Sequence, residues 1–325
     1  MIIVRSPLRV SFFGGGTDYE KWFKKNKGAF LSAAIDKYVF SLVKHTINLS
    51  SYKYRVSWKI VEEVSKSNDI QQPIVREVIK YLKFHKPAEF FYLADVPAQS
   101  GLGSSASYAV ATIKAIASIQ KKNFSKIDIA KISYEIEKIK LRENTGIQDA
   151  IAASHGGMNF VEIESNGKYK INKCSISEKQ KEKFFDRILL VFTGIQRSSS
   201  NQAALTLKEM EKKEKHFKEL YDMAFEGRNL LFSNEFDKFG NLLDESWKIK
   251  ASLNNKMSNK KIDNLYNFSK SQGALGMKIL GAGGGGFAAV FLKNGAKKKF
   301  IEKIKNHKFL QIKIDEMGAK LINFT

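Results

Sequence analysis

Residues 97–106 read Pro-Ala-Gln-Ser-Gly-Leu-Gly-Ser-Ser-Ala and open directly into a run, Ser104 to Ile119, whose side chains are small or apolar nearly all round. Such a helix has no polar face to give to water, so it must be covered on every side and belongs inside a sizeable domain. Its first turn carries backbone N–H groups with no partner inside the helix, and the helix dipole adds partial positive charge there. Glycine lets an anion approach that backbone closely, and the two hydroxyls can serve a phosphate oxygen or a metal ion. The segment is not a Walker A loop, because the Gly-Lys-Ser/Thr ending is missing. Taken alone, it reads better as a turn whose serines merely cap a helix.

Two further glycine segments change the balance. Gly281-Ala282-Gly283-Gly284-Gly285-Gly286 lies between the hydrophobic runs 276–280 and 287–292, where a flexible linker does not belong. Arg9-Val10-Ser11-Phe12-Phe13-Gly14-Gly15-Gly16-Thr17-Asp18-Tyr19 joins a cation, a bare turn and a carboxylate able to bind substrate hydroxyls. Alone, that one is an ordinary hairpin.

Strand signals at 2–13, 29–45, 52–61, 90–95, 158–163 and 187–192 alternate irregularly with helical spacing at 73–84, 104–119 and 125–141. Ser125 followed by Asp128 has the form of a capping box. The second half is helix-rich over 201–234, 236–253 and 259–271, and closes with the strands that flank 281–286. This mixture predicts an α+β fold rather than regular βαβ repetition. The charged stretch 175–183 reads as a connector, which divides the chain into 1–185 and 186–325.

At 325 residues, 43% hydrophobic and 12% aromatic, the chain has the material for two globular cores. A lone cysteine, Cys174, excludes internal disulfides and multi-cysteine zinc sites. No apolar run approaches membrane-spanning length and no signal segment opens the chain, so a cytoplasmic protein without membrane association is expected. The formal charge of +22 raises nucleic acid as a partner. Only eight of the 55 basic residues are arginine, however, and the lysines lie in mixed, solvated segments. Nucleic acid is therefore not expected, anionic small molecules are, and a homodimer is one assembly such a chain allows.

Together the three glycine segments, in order and spacing, resemble the superfamily of galactokinase, homoserine kinase, mevalonate kinase and phosphomevalonate kinase. The resemblance spans essentially the whole chain. It implies an N-terminal part related to the second domain of ribosomal protein S5, a ferredoxin-like C-terminal part, and ATP with Mg2+ in the cleft between them. It implies that Ser100, Gly101, Leu102, Gly103, Ser104, Ser105 and Ala106 hold the ATP phosphates. Gly14, Gly15, Gly16, Thr17, Asp18, Gly283 and Gly284 would face the acceptor. The family's catalytic carboxylate corresponds to Asp149 in TGIQDAIAASHGG, and the arginine before the N-terminal turn to Arg9, which would orient Asp149 and stabilise transferring charge. The metal ligands correspond to Ser105 and a helix glutamate. Glu137 shares a 3,4,3,4 stripe with Ile127, Ala130, Tyr134 and Leu141, whereas Glu135 falls on the polar side, so Glu137 is preferred.

Galactokinases carry Glu-His where Gly15-Gly16 stands, which disfavours galactose. The GGGTD turn, residues 70–77, the block GIQDAIAASHGGMNF and TGIQRSS at 193–199 are most similar to D-glycero-D-manno-heptose 7-phosphate 1-kinases, with the kinase part of L-fucokinases next. Such enzymes make the 1,7-bisphosphate on a route to activated heptose for surface glycans. Ala150 and Gln72 depart from the pattern, which would have Gln and His. A phosphorylated acceptor needs a cation, and Arg197, with Arg142 second, is the expected one. His45, His85, His155, His216 and His307 show no ligand spacing. An inactive binding protein on the same scaffold is the reading from a different class, against which the joint presence of Arg9, Ser105, Glu137 and Asp149 argues.

Overall fold

The computed structural model describes residues 1–47, 50–197, 199–305 and 307–322. The first half runs β1 (Ile2–Phe13), α1 (Glu20–Asn26), β2 (Gly28–His45), β3 (Tyr54–Ser57), β4 (Val61–Val64), α2 (Pro73–Leu82), β5 (Ala88–Ala94), α3 (Ser104–Ile119), α4 (Lys126–Glu135), α5 (Gln148–His155), β6 (Met158–Ile163) and β7 (Tyr169–Lys173). After α6 (Glu178–Phe185) come β8 (Ile188–Phe192), α7 (Ser199–Glu209), α8 (Glu214–Phe232), α9 (Phe236–Ser252), α10 (Lys260–Ser271), β9 (Ala274–Ile279), β10 (Phe287–Leu292), α11 (Lys297–Lys303), β11 (Phe309–Gln311) and β12 (Lys320–Leu321).

Two sheets result, and the α+β class holds. The larger has the order β12-β1-β2-β5-β3-β4, with β6 also on β2 and β7 on β6; the smaller has the order β11-β8-β10-β9. Among the described strands only β3 and β5 pair in parallel. The eighteen-residue β2 serves two partners in turn, β6 through Gly28–Ala33 and β5 through Val39–His45. Against β1 its register shifts beside Pro7, whose missing N–H breaks a ladder there. The last segment returns to the first sheet, with an Ile35–Ile314 bridge and β12 on β1.

α3 is buried on nearly every face, as its composition requires, and packs on β1 and β2. The Ser107 hydroxyl donates to the Pro7 carbonyl at 2.8 Å, satisfying an acceptor at the bulge. Phe12 and Phe13 at the end of β1 meet Phe184 of α6 and Phe239 of α9 at 5.5 and 4.9 Å between centroids, mostly edge to face. Phe184 in turn touches Phe291 of β10 at 5.4 Å. This aromatic cluster joins the two sheets into one core and fixes the cleft between them.

Several elements depart from the sequence reading. The expected connector is helical, because Ser177 and Gln180 form a reciprocal capping box. The single helix expected over 201–234 is broken at 210–213 into α7 and α8. α1, β7 and α11 had no periodic apolar signal; each is short and takes its place by packing or pairing. α4 passes into a π-helical turn, Ile136–Lys140, which widens the helix at Glu137.

Candidate active site

Where the end of β1, the start of α3 and the start of α5 converge lies a cleft of about 400 Å3. Arg9, 4% exposed, projects from β1 and holds Asp149 with both arms of its fork, Nε to Oδ1 at 2.7 Å and Nη2 to Oδ2 at 2.9 Å. Its Nη1 donates to the Gly101 carbonyl at 2.5 Å, so one guanidinium orients the carboxylate and pins the phosphate-type loop at once. Gly103 caps α3 with φ +79°, and a Cβ there would stand 3.1 Å from Asp149 Oδ2. Only glycine gives both that backbone and that proximity.

Glu137 reaches the same cleft from the π-helical turn. It is 5% exposed, lies near enough to the Ser105 side chain for that group to favour its charged form, and has no basic partner within ion-pair distance among the described residues. Burial, reinforced by the charge of Asp149, pushes its carboxyl up to about 8. A desolvated carboxylate beside a hydroxyl at the mouth of a phosphate-type loop has the donor chemistry for a hard cation. Glu135 instead accepts from the Tyr81 hydroxyl at 3.0 Å and does not line the cleft.

Asp18 lies buried at the far side of Asp149, where the Gly16 and Gln148 N–H groups donate to it at 3.2 and 3.3 Å. Burial first, then the charge of Asp149, raises it to about 6. Tyr19, Gly15, Gly16 and Ser11 complete this wall. Away from it, Trp58, Pro73, Ile74, Tyr92 and Tyr108 line an aromatic and apolar end.

Arg9, Asp149, Gly15, Gly16, Asp18, Gly101, Gly103, Ser104, Ser105, Ala106 and Glu137 are thus brought together. Others among the expected residues support the wall without facing the cleft. Thr17 ties Gly14 and Ala29 through its hydroxyl, and Ser100 and Leu102 are fully buried. Gly283 and Gly284 pack against Met257 and Gln202 rather than the cleft; Gly281 and Ala282 are the residues of that loop that line it. Arg142 is exposed and outside the lining. Arg197 is likewise outside the lining: its Nε donates to the Gly283 carbonyl, Nη1 to Ser199 Oγ at 2.8 Å and Nη2 to the Leu280 carbonyl at 3.4 Å. All three nitrogens brace protein groups, one of them in the loop 281–286. Ser198 beside it lies outside the described residues.

Lys250 was not anticipated. It lines the cleft from α9, although it occupies the apolar stripe of Leu243, Ser246, Trp247 and Leu253. A cation on a core-facing stripe was the signal available in the sequence.

The GHMP kinases N terminal domain matches residues 72–157 and the GHMP kinases C terminal domain matches residues 228–309. The chain belongs to the GHMP kinases. A D-glycero-alpha-D-manno-heptose 7-phosphate kinase from Campylobacter jejuni is 30% identical to it, over 94% of this chain and 93% of that protein. A bifunctional fucokinase/GDP-fucose pyrophosphorylase of Arabidopsis thaliana is 26% identical over 96% of this chain and 32% of its own length. Among solved structures, a D-glycero-D-manno-heptose 1-phosphate kinase from Bacteroides thetaiotaomicron covers both chains fully at a TM-score of 0.83 and 19% identity, showing the shared GHMP kinase fold. A putative sugar kinase from Campylobacter jejuni has a TM-score of 0.77 at 25% identity, covering 99% of this chain and 98% of that one. This GHMP kinase is a phosphotransferase with an alcohol acceptor, a sugar kinase in kind. Among the described residues no helix is long and apolar enough to cross a membrane.

Proposed function

We propose that the chain transfers the γ-phosphate of ATP to the anomeric hydroxyl of D-glycero-D-manno-heptose 7-phosphate, giving the 1,7-bisphosphate and ADP. The observation that carries the reading is the bidentate Arg9–Asp149 pair beside the N-terminus of α3. In this reading the triphosphate lies on the N–H groups of 101–106, with the base at the end formed by Trp58, Pro73, Tyr92 and Tyr108. Asp149, its orientation fixed by Arg9, accepts the proton as the sugar hydroxyl attacks in line, and Arg9 offsets charge on the phosphoryl group in transfer. Asp18 and the Gly15–Gly16 turn meet the sugar hydroxyls, the missing side chains of that turn leaving room for a heptose. Ser105 and Glu137 fit a Mg2+ ion, which when bound neutralises charge on the β- and γ-phosphates. A domain division between 185 and 186 and residence in the cytoplasm, on a route to activated heptose for surface glycans, go with this reading.

The similarity to the heptose 7-phosphate kinase over 94% of the chain supports that acceptor. An ADP-release assay across heptose 7-phosphate, L-fucose, D-galactose and mevalonate tests it. Turnover restricted to the heptose phosphate is expected; a higher kcat/KM with L-fucose would favour a fucokinase-like enzyme, the reading that the Arabidopsis relative supports.

A further inference from the structure

Four basic side chains are buried among the described residues: Arg9, Arg187, Lys250 and Lys278. The two arginines have carboxylate partners, Asp149 and Asp237. The two lysines have none within ion-pair distance. Lys278 donates to the Phe12 carbonyl and to Ser246 Oγ at 3.3 Å, and does not line the cleft. Lys250 does line it, one helical turn beyond Ser246, and of its three N–H donors one goes to the Gly281 carbonyl. A buried ammonium with unused donors and no counter-charge is unfavourable unless an anion reaches it.

The surrounding charge points the same way. Lys250 lies in electrostatic range of Lys278, Arg197, Arg9 and Asp18; Arg9 is also in range of Arg197 and Lys278, and Asp18 in turn feels Asp149. Lys250 is thus set among cations with one carboxylate, Asp18, in electrostatic range, so an anion in the cleft is the charge its surroundings lack. The nucleotide already has a seat on the N-terminus of α3. The carboxylate that Lys250 senses is Asp18, in the turn proposed to face the acceptor.

We propose that Lys250 binds the distal phosphate of a phosphorylated sugar and is the residue by which this enzyme distinguishes a sugar phosphate from a free sugar. The assignment rests on the proposed sugar phosphate acceptor and deepens it. Burial and the neighbouring cations hold the Lys250 amine well below the usual lysine range, so a bound dianion is what restores its full charge.

Lys250→Gln removes the charge while keeping a donor for the Gly281 carbonyl, and Lys250→Met keeps the volume on an apolar stripe; thermal melting shows which of them is folded. Calorimetric binding of D-mannose 6-phosphate and of D-mannose, with ADP present, reads the site without turnover. Wild type should prefer the ester, and each folded variant should bind it about 10-fold or more weakly with D-mannose unchanged. Lys250→Arg should retain most of the preference. No preference in wild type, equal losses for ester and free sugar, or a change confined to KM for ATP would overturn the assignment. Turnover of heptose 7-phosphate by wild type is read separately: its absence alongside a Lys250-dependent ester preference would sink the substrate reading and leave this one standing.

Discussion

Replacing Asp149 by Asn removes the carboxylate charge while preserving shape. Arg9 is 4% exposed and its fork would then face one amide oxygen and one amide nitrogen, so the Nη2 contact of 2.9 Å becomes donor against donor. Breaking a buried ion pair costs about 3–5 kcal/mol. Here Asp149 is 23% exposed, the Nε contact can persist on the amide oxygen, and Arg9 keeps the Gly101 carbonyl, which brings the expected loss of stability to roughly 1–3 kcal/mol. Turnover should fall far more, by about 10²–10⁴-fold, since the amide accepts no proton. The nucleotide seat is built from α3 and its loop, so calorimetric ATP affinity should stay within about threefold. Urea unfolding, single-turnover rates and ATP titration separate the three effects. In a cycle with Arg9→Ala the double variant should be little slower than the worse single variant, because the two side chains act as a unit. Turnover near that of wild type in Asp149→Asn, or strict additivity in the cycle, would refute the reasoning.

Glu137→Gln and Ser105→Ala should each raise the Mg2+ concentration for half-maximal rate, whereas Glu135→Gln should not; damage from the Glu135 change alone would reverse the assignment. Asp18 is raised from 3.8 to about 6, so the fold favours its protonated form, and that stability, about 3 kcal/mol at most, is present below pH 4 and lost as pH rises through 6. Denaturant titrations of wild type and Asp18→Asn should therefore diverge between pH 4 and 7, with the variant flatter; parallel curves would exclude the effect. Gly103→Ala and Gly194→Ala both impose a positive φ, near +79° and +76°, and each should cost about 1–2 kcal/mol in backbone strain. Only at Gly103 does the new methyl meet Asp149, at 3.1 Å, so kcat should fall there and hold at Gly194, where nothing lies within 4 Å.

The local elements were legible wherever a signal is carried by neighbours in the chain. Ile2–Phe13 and Ser104–Ile119 have the bounds their composition announces, and the Ser125–Asp128 capping box forms as written. The preference for Glu137 over Glu135 followed from helical period, and its burial agrees even though the helix widens into a π turn at that point. Residue types in order along the chain thus determined the mixed class, the buried helix and the turns able to meet an anion.

Tertiary structure decided which of those residues face one another. Arg9 and Asp149 are 140 positions apart, and their bidentate contact depends on how β1 and α5 pack around α3. Which cation stands open to the cleft depends on packing for the same reason. Arginine chemistry suggested Arg197, but its guanidinium braces protein groups, one of them in the loop 281–286, while Lys250, on the core stripe of α9, is left at the cleft with donors to spare. A sequence records which groups can bind an anion. Whether their donors are already engaged is settled only when distant carbonyls arrive beside them, because hydrogen-bond satisfaction of a buried group is a property of the whole packed core.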